Sequence, residues 1–284
     1  MEHNHKSDNC KICGSGNLQI FAHTAKCKNC NVLLFYPYPK KAELVEYPDK
    51  SSSYYWYSKA ADSNHSIFRN AINFTIKNED RTKAISILDF GGGGGQFALS
   101  CKFFMPKCKV FIVDVSDIAL LDEWRSMNHQ IKFADFESDT TKFDYIFLND
   151  VFEHLPDPFG TLKTFKAKLV EGGRVFINTP KQFWIYPISK LFSKKLYKMV
   201  LRGTVSEAHL QIWSSKSFRK FIFESGFDVE KYEEAFEMTM DPEFYLKNMG
   251  FHNKFVTIVA KSVFTLMQGF IKNKILCRLV NSGS

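Results

Sequence analysis

Residues 85–98 read ISILDFGGGGGQFA. The apolar, β-branched start predicts a strand that carries Asp89; the five glycines at 91–95 predict a tight turn, and Gln96 and Phe97 resume a helix. Glycine removes the Cβ barrier to positive φ and lets a ligand lie directly on the backbone. The free N–H groups of the new helix face the same place. A nucleotide-like cofactor is the ligand this arrangement asks for. The dinucleotide pattern GxGxxG is not met, because the sixth position counted from Gly91 is Gln96. Acid, one apolar residue, then GxGxG is met by Asp89, Phe90, Gly91, Gly93 and Gly95. That pattern specifies alternate glycines, so Gly92→Ala and Gly94→Ala are expected to be the milder changes.

Around this turn the chain alternates strand and helix. The run KVFIVDVS ends its apolar part at Asp114, twenty-five residues after Asp89. An acid at about that spacing in such folds accepts hydrogen bonds from ribose hydroxyls. Further strands are expected at IKFADF, which ends near Asp135, at FDYIFLND, which ends at Asn149 and Asp150, and at RVFINTP. FDVEKYEEAF and FVTIVAK supply the last two. Helices fall between them, one of them over residues 117–127 and one over 159–170. This rhythm implies an α/β, Rossmann-like, doubly wound and mostly parallel seven-stranded sheet. Residues 62–82 carry apolar positions at helical spacing and lead into the glycine strand as a cover.

Upstream, Cys10, Cys13, Cys27 and Cys30 form CxxC, thirteen intervening residues, CxxC. Two such knuckles bring four thiolates onto one zinc, and a module this small has too little core to fold without it. With four cysteines the shell is closed and the role structural. The odd total of seven cysteines, four of them at ligand spacing, favours a reducing compartment over a disulfide framework. Between the knuckles only Lys26 is basic, and no Arg–aromatic stripe accompanies the ribbon, which disfavours nucleic acid as the partner.

The domain organisation expected is a ribbon at 1–40, a helical cover at 41–84, a cofactor-binding domain at 85–262 with a substrate-side insertion at 181–214, and a basic amphipathic helix at 263–284. The net charge of +8 is uneven. Residues 181–202 carry six basic side chains and no acid, and residues 252–284 carry five and no acid. Both stretches are apolar as well as basic, which fits peripheral contact with an anionic membrane through 181–202 and 255–280. No apolar leader follows the first residues, and the apolar run 255–271 is broken by Lys261. A cytoplasmic chain, in part at the inner membrane face, is the expectation.

The glycine motif resembles the first motif of class I S-adenosylmethionine-dependent methyltransferases, and VFEHLPDP after the fourth strand resembles that superfamily's post-strand motif EHLPDP. The N-terminal segment resembles a bacterial group in which a CxxC pair is followed by CGLVFLNPRP and several tyrosines. Here the string is CNVLLFYPYP, with Asn31 where the group usually has Gly and Tyr38 where it usually has Arg. The resemblance covers nearly the whole chain. It implies S-adenosylmethionine as cofactor, held by Asp89, Gly91, Gly93, Gly95 and Asp114, with Asn149 at the end of the fourth strand. It further implies that Asp135 accepts from the adenine amino group and that Phe136 lies near the ring; Glu137 and Asp139 are alternatives for Asp135. His154 and His209 are the candidate bases, and Trp213 stands beside the second. Glu153 and His154 are adjacent, so on a helix their side chains would diverge.

Methyl transfer to a small-molecule acceptor follows, a sugar, glycan or lipid-linked intermediate of surface polysaccharide or secondary metabolism. The competing readings are a ribbon protein that methylates or binds RNA or protein, and an NAD-dependent oxidoreductase.

Overall fold

The structure, a computed structural model, describes residues 9–38, 66–115, 129–182, 209–237 and 272–281, together with positions 253, 255, 258, 259, 262 and 266. A helix over 66–75 (α1) precedes strand β4 (Ser86–Phe90), helix α2 (Gln96–Phe104) and strand β5 (Lys109–Asp114). Strands β6 (His129–Lys132) and β7 (Phe143–Asn149) follow, then helix α3 (Pro158–Lys168) and strand β8 (Leu169–Pro180). Beyond them come β9 (Gln211–Ile212), helix α4 (Ser215–Glu224), β10 (Asp228–Ala235) and β11 (Lys274–Val280).

Seven strands make one sheet in the order β10-β11-β8-β7-β4-β5-β6. Pairs from β6 through β8 are parallel, whereas β11 is antiparallel to both β8 and β10. This is the doubly wound, mostly parallel sheet read from the sequence. Its central strands are buried on both faces, so they read as continuous apolar runs rather than as an alternation. The pleat still sorts them: Ile87 joins the core under α1 and α2, and Leu88 joins the core under α3 and α4. Phenylalanine fills both layers. Phe165 of α3 packs edge-on to Phe90 at 5.0 Å, and Phe97 of α2 lies 4.5 Å from Phe147.

A second sheet of four antiparallel strands is built from β1 (Leu18–Phe21), β2 (Thr24–Cys27), β3 (Leu33–Phe35) and β9. Its first three strands belong to the cysteine ribbon, but its fourth, Gln211–Ile212, follows β8 in the chain. Asn31 adopts a φ of 70°, a left-handed turn that asparagine tolerates better than most residues. The substitution for glycine therefore keeps the turn.

Two expectations change. Residues 274–280 are a strand, not part of a helix over 263–284, and positions 255, 258 and 259 of the expected strand FVTIVAK are helical. A short apolar run fits either state by pattern alone; here the slot between β8 and β10 decides, because Lys274–Val280 satisfies the backbone groups of both neighbours. The third strand also ends early, at Lys132, so Asp135 sits on a single 3-10 turn, Phe133–Asp135, beyond it. The expected helix over 117–127, the tyrosines of the cover and nearly all of 181–202 lie outside the described residues.

Candidate active site

The carboxyl ends of β4, β5 and β7 meet at the glycine turn, the position where ligands bind in open α/β sheets. Gly91, Gly93 and Gly95 take φ values of 72°, 51° and 86°. Those are the three glycines the motif specifies. Gly95 caps the start of α2. The loop is tied to β5: Gly91 donates to Val113 O at 2.7 Å, and Gly93 N donates to Asp114 Oδ2 at 2.8 Å. Asp114 thus braces the loop with one oxygen at the strand end where a ribose would lie.

Gly92 departs from the expectation. A Cβ there would stand 2.7 Å from Asp89 Oδ2 and 2.8 Å from Ile112 Cγ2, so this glycine is required by close approach although its φ is ordinary. At Gly94 the nearest atoms are the amide end of Gln96 at 3.0 Å and beyond, which can swing away.

Asp89 is 2% exposed, and burial, followed by the charge of Asp114, pushes its carboxyl up to about 8. Its Oδ2, the Nε2 of Gln96 and both polar atoms of the Asn149 amide are buried and meet no partner among the described residues. Donors and acceptors left open at the ends of β4, α2 and β7 suit a ligand that carries an amine, a carboxylate and a purine. The residues fit S-adenosylmethionine.

Asp135 is exposed, and its backbone oxygen accepts from Ser138 Oγ and Asp139 N. Asp139 Oδ1 accepts from Thr141 N at 2.7 Å. Phe136, expected near the adenine ring, is a core residue. It is 4% exposed, packed against Phe90 and Phe165 with Lys168 over its face, and its contribution is to the core.

After β7 the chain turns through Asp150, at a φ of 54°, and Val151, whose methyl groups fill the space beside Gly91. A 3-10 turn, Phe152–His154, follows. Here the two candidate bases come together, although fifty-five positions separate them in sequence: the rings of His154 and His209 are 4.7 Å apart. Leu210 N donates to Glu153 O at 2.9 Å, which draws the two segments side by side. The short turn also lets neighbours meet that would diverge on an α-helix, because Glu153 Oε1 lies 3.9 Å from His154 Nε2.

Glu153 is fully buried and accepts from Thr179 Oγ1. Burial, and then the Asp150 charge, raise its pKa. Behind it Lys274 pairs with Asp150. Burial alone would lower this lysine, but Asp150, Glu153 and Glu237 outweigh it and hold the amine charged. Lys274 and Thr179 carry no sequence signal for this role. Gln211 does carry one, as the only polar side chain in the apolar run LQIW.

In the ribbon, Cys10 and Cys30 Sγ are 3.7 Å apart, and Cys13 and Cys27 Sγ 3.6 Å. All four sulfurs lie within 4.8 Å of one another. Zn–S bonds of about 2.3 Å give a tetrahedron with edges of about 3.8 Å, so the donor set and spacing fit zinc.

A family model described as a methyltransferase domain matches residues 21–232. The chain belongs to that family. The match takes in the glycine turn, both histidines and the second knuckle of the ribbon, with Cys27 and Cys30. Among curated proteins, the ubiquinone biosynthesis O-methyltransferase of Coxiella burnetii is 23% identical, covering 71% of this chain and 91% of its own length. Among solved structures, an S-adenosylmethionine-dependent methyltransferase from Archaeoglobus fulgidus superposes with a TM-score of 0.50 at 16% identity, covering 80% of this chain and 98% of that one. The cyclopropane synthase MmaA2 of Mycobacterium tuberculosis does so at 0.53 and 12%, covering 76% and 83%. At such identities these structures show the fold. Family and site geometry together make this methyltransferase an S-adenosylmethionine-dependent enzyme.

Proposed function

We propose that the methyltransferase methylates a hydroxyl group of a small, apolar or lipid-linked acceptor, with the His154–His209 pair receiving the hydroxyl proton. When bound, S-adenosylmethionine supplies an electrophilic methyl group on a sulfonium with a good, neutral leaving group. The work left to the chain is alignment, exclusion of water and removal of one proton. Asp89, Asn149, Asp114 and the glycine turn hold the cofactor; Glu153 lies against His154 and can balance the charge of an imidazolium.

The observation that carries the reading is the convergence of two histidines on a turn that starts against Gly91. A hydroxyl nucleophile needs a base, whereas a neutral amine can attack first and lose its proton afterwards. The curated relative, named as an O-methyltransferase, supports the same atom class. A glycan or lipid carrier as the larger acceptor rests on the two basic, apolar segments. Of these, positions 255, 258, 259 and 266 are each helical, carry exposed Phe, Ile, Val and Leu, and are spaced to share one face, in a stretch with no acidic residue. The same face supports a place at an anionic membrane surface. The four cysteines are assigned a structural zinc, and the β3 edge of the ribbon is already occupied by β9, which favours docking over nucleic acid contact.

The test is transfer of labelled methyl from S-adenosylmethionine to a panel of a nucleotide sugar, a long-chain phenol in detergent and bulk tRNA. The phenol or the sugar is expected to gain label, and His154→Ala or His209→Ala to slow that transfer by about 100-fold or more. Label in tRNA alone, or full rates in both variants, would overturn the reading.

A further inference from the structure

Resting on the reading of His154 and His209 as the proton acceptors, we infer that the cysteine ribbon is the positioning frame of the active site, and that it acts through the buried amide of Gln211. This side chain is inaccessible to solvent, and both its amide hydrogens and its oxygen are engaged. Its Nε2 donates to Phe152 O at 2.9 Å and to Leu155 O at 2.8 Å, the carbonyls on either side of Glu153 and His154. Its Oε1 accepts from Tyr38 Oη at 3.2 Å, and the same hydroxyl lies 3.4 Å from Pro156 O. One amide therefore clamps both ends of the turn that carries His154, and a ribbon tyrosine holds the amide.

The backbone of the same residue belongs to the ribbon sheet. Leu34 of β3 pairs with Gln211 and Leu33 with Ile212, while Phe35 N donates to Leu210 O at 3.0 Å. Leu210 follows His209 and donates to Glu153 O. The ribbon thus fixes the chain on one side of His209 and the turn beneath His154 with a single strand. The start of the insertion is held too: Gln182 Nε2 donates to Asn31 O and Ile212 O, both at 2.8 Å, and Gln182 N to Trp213 O at 2.7 Å. Asn31 Nδ2 reaches Ser214 Oγ at 3.2 Å. Asn31 lies directly after Cys30, so the knuckle that holds two of the four metal ligands also holds both roots of the insertion.

This arrangement gives the zinc ribbon a task that a separate module would not have. It sets the distance between two histidines through hydrogen bonds to the 152–156 turn and to β9, while the glycine turn that holds the cofactor is tied to β5. Gln211 is accordingly a positioning residue. Loss of its donors leaves two buried carbonyls unpaired, and the turn is free to relax.

The experiment follows the histidine ring Cε1–Hε1 cross-peaks of the full chain by NMR, with those of His154 and His209 assigned from His154→Ala and His209→Ala. The variants are Gln211→Leu, Tyr38→Phe, which removes one hydroxyl and spares the fold, and Cys13→Ser, with zinc measured by mass spectrometry. In Gln211→Leu and Tyr38→Phe the two cross-peaks are expected to move while that of His129, on the outer strand β6, stays. Cys13→Ser is expected to lose zinc and move the same two. Calorimetry is expected to give S-adenosylmethionine affinities within about twofold of the native chain in the first two variants. Unmoved His154 and His209 signals in both Gln211→Leu and Tyr38→Phe, or equal movement of all the histidines, would overturn the inference. Full methyl transfer by His154→Ala and His209→Ala would overturn their role as bases and leave the cross-peak result standing.

Discussion

Gly92→Ala and Gly94→Ala add the same methyl group two positions apart, and the structure separates them. At Gly92 the new Cβ would lie 2.7 Å from Asp89 Oδ2, 2.8 Å from Ile112 Cγ2 and 2.9 Å from Asp89 Cγ. Asp89 and Ile112 face each other across β4 and β5 in the middle of the sheet, 2% and 0% exposed, so neither can step aside. Overpacking of this kind costs about 1–3 kcal/mol. The glycine loop is softer than the strands and gives way first, so that cost should appear as weaker cofactor binding. At 1.4 kcal/mol per tenfold, the expected loss is about 5-fold to 150-fold. At Gly94 the Cβ meets only the end of the Gln96 side chain at 3.0–3.3 Å. A side-chain shift of that size costs about 0.5 kcal/mol, or about twofold. Titration calorimetry with S-adenosylmethionine reads both, and urea unfolding checks that each variant is folded. Equal losses in the two variants would show that the turn tolerates or rejects side chains as a whole, and the close-approach argument would fail.

Stability should fall as pH rises from about 4 to about 8. Asp89 binds its proton more tightly when folded, since burial lifts its pKa to about 8, so the unfolded chain releases that proton first and gains over the window. Urea unfolding across this range should show the decline, and Asp89→Asn should make it shallower, leaving the part that buried Glu153 contributes in the same direction; a rise in stability would refute the assignment. Lys274→Met leaves Asp150 and Glu153 without their cation and is expected to cost about 3 kcal/mol, with Asp150→Asn in the same chain recovering part of it in denaturant titrations. A neutral effect of Lys274→Met would mean that the carboxylates are protonated or solvated in its absence. The exposed face at Phe255 and Leu266 predicts flotation with vesicles rich in anionic lipid and release by Phe255→Glu combined with Leu266→Glu. Equal flotation of the double variant would place membrane contact elsewhere.

What the sequence disclosed was local. A left-handed turn demands glycine within a few residues of the strand that feeds it, so Gly91, Gly93 and Gly95 announce themselves, and Asp114 follows at a spacing set by one strand–helix–strand unit. Where a role depends on a neighbour far along the chain, the signal fades. Phe136 stands next to the expected adenine acid, yet the early end of β6 turns its ring into the core, and only the packing of Phe90 and Phe165 reveals it. KILCRLV and FVTIVAK are equally apolar, and the vacancy between β8 and β10 decides which becomes the strand.

The cysteines show the same limit from the other side. Four thiols at knuckle spacing make a metal site legible in any chain, because the ligands and the fold they stabilise are neighbours. Nothing in that spacing says what the ribbon is for. The answer lies in two residues of β9, too short a run to register as a strand by pattern, and in a tyrosine at position 38 where an arginine is usual. An arginine there could donate to carbonyls, but it would bring a charge to a buried amide whose oxygen needs one neutral donor; the phenol supplies that donor, and its own pKa is pushed up to about 12 by burial, which keeps the proton in place. The departure from the family pattern and the buried glutamine are therefore one feature, and each explains why the other is tolerated.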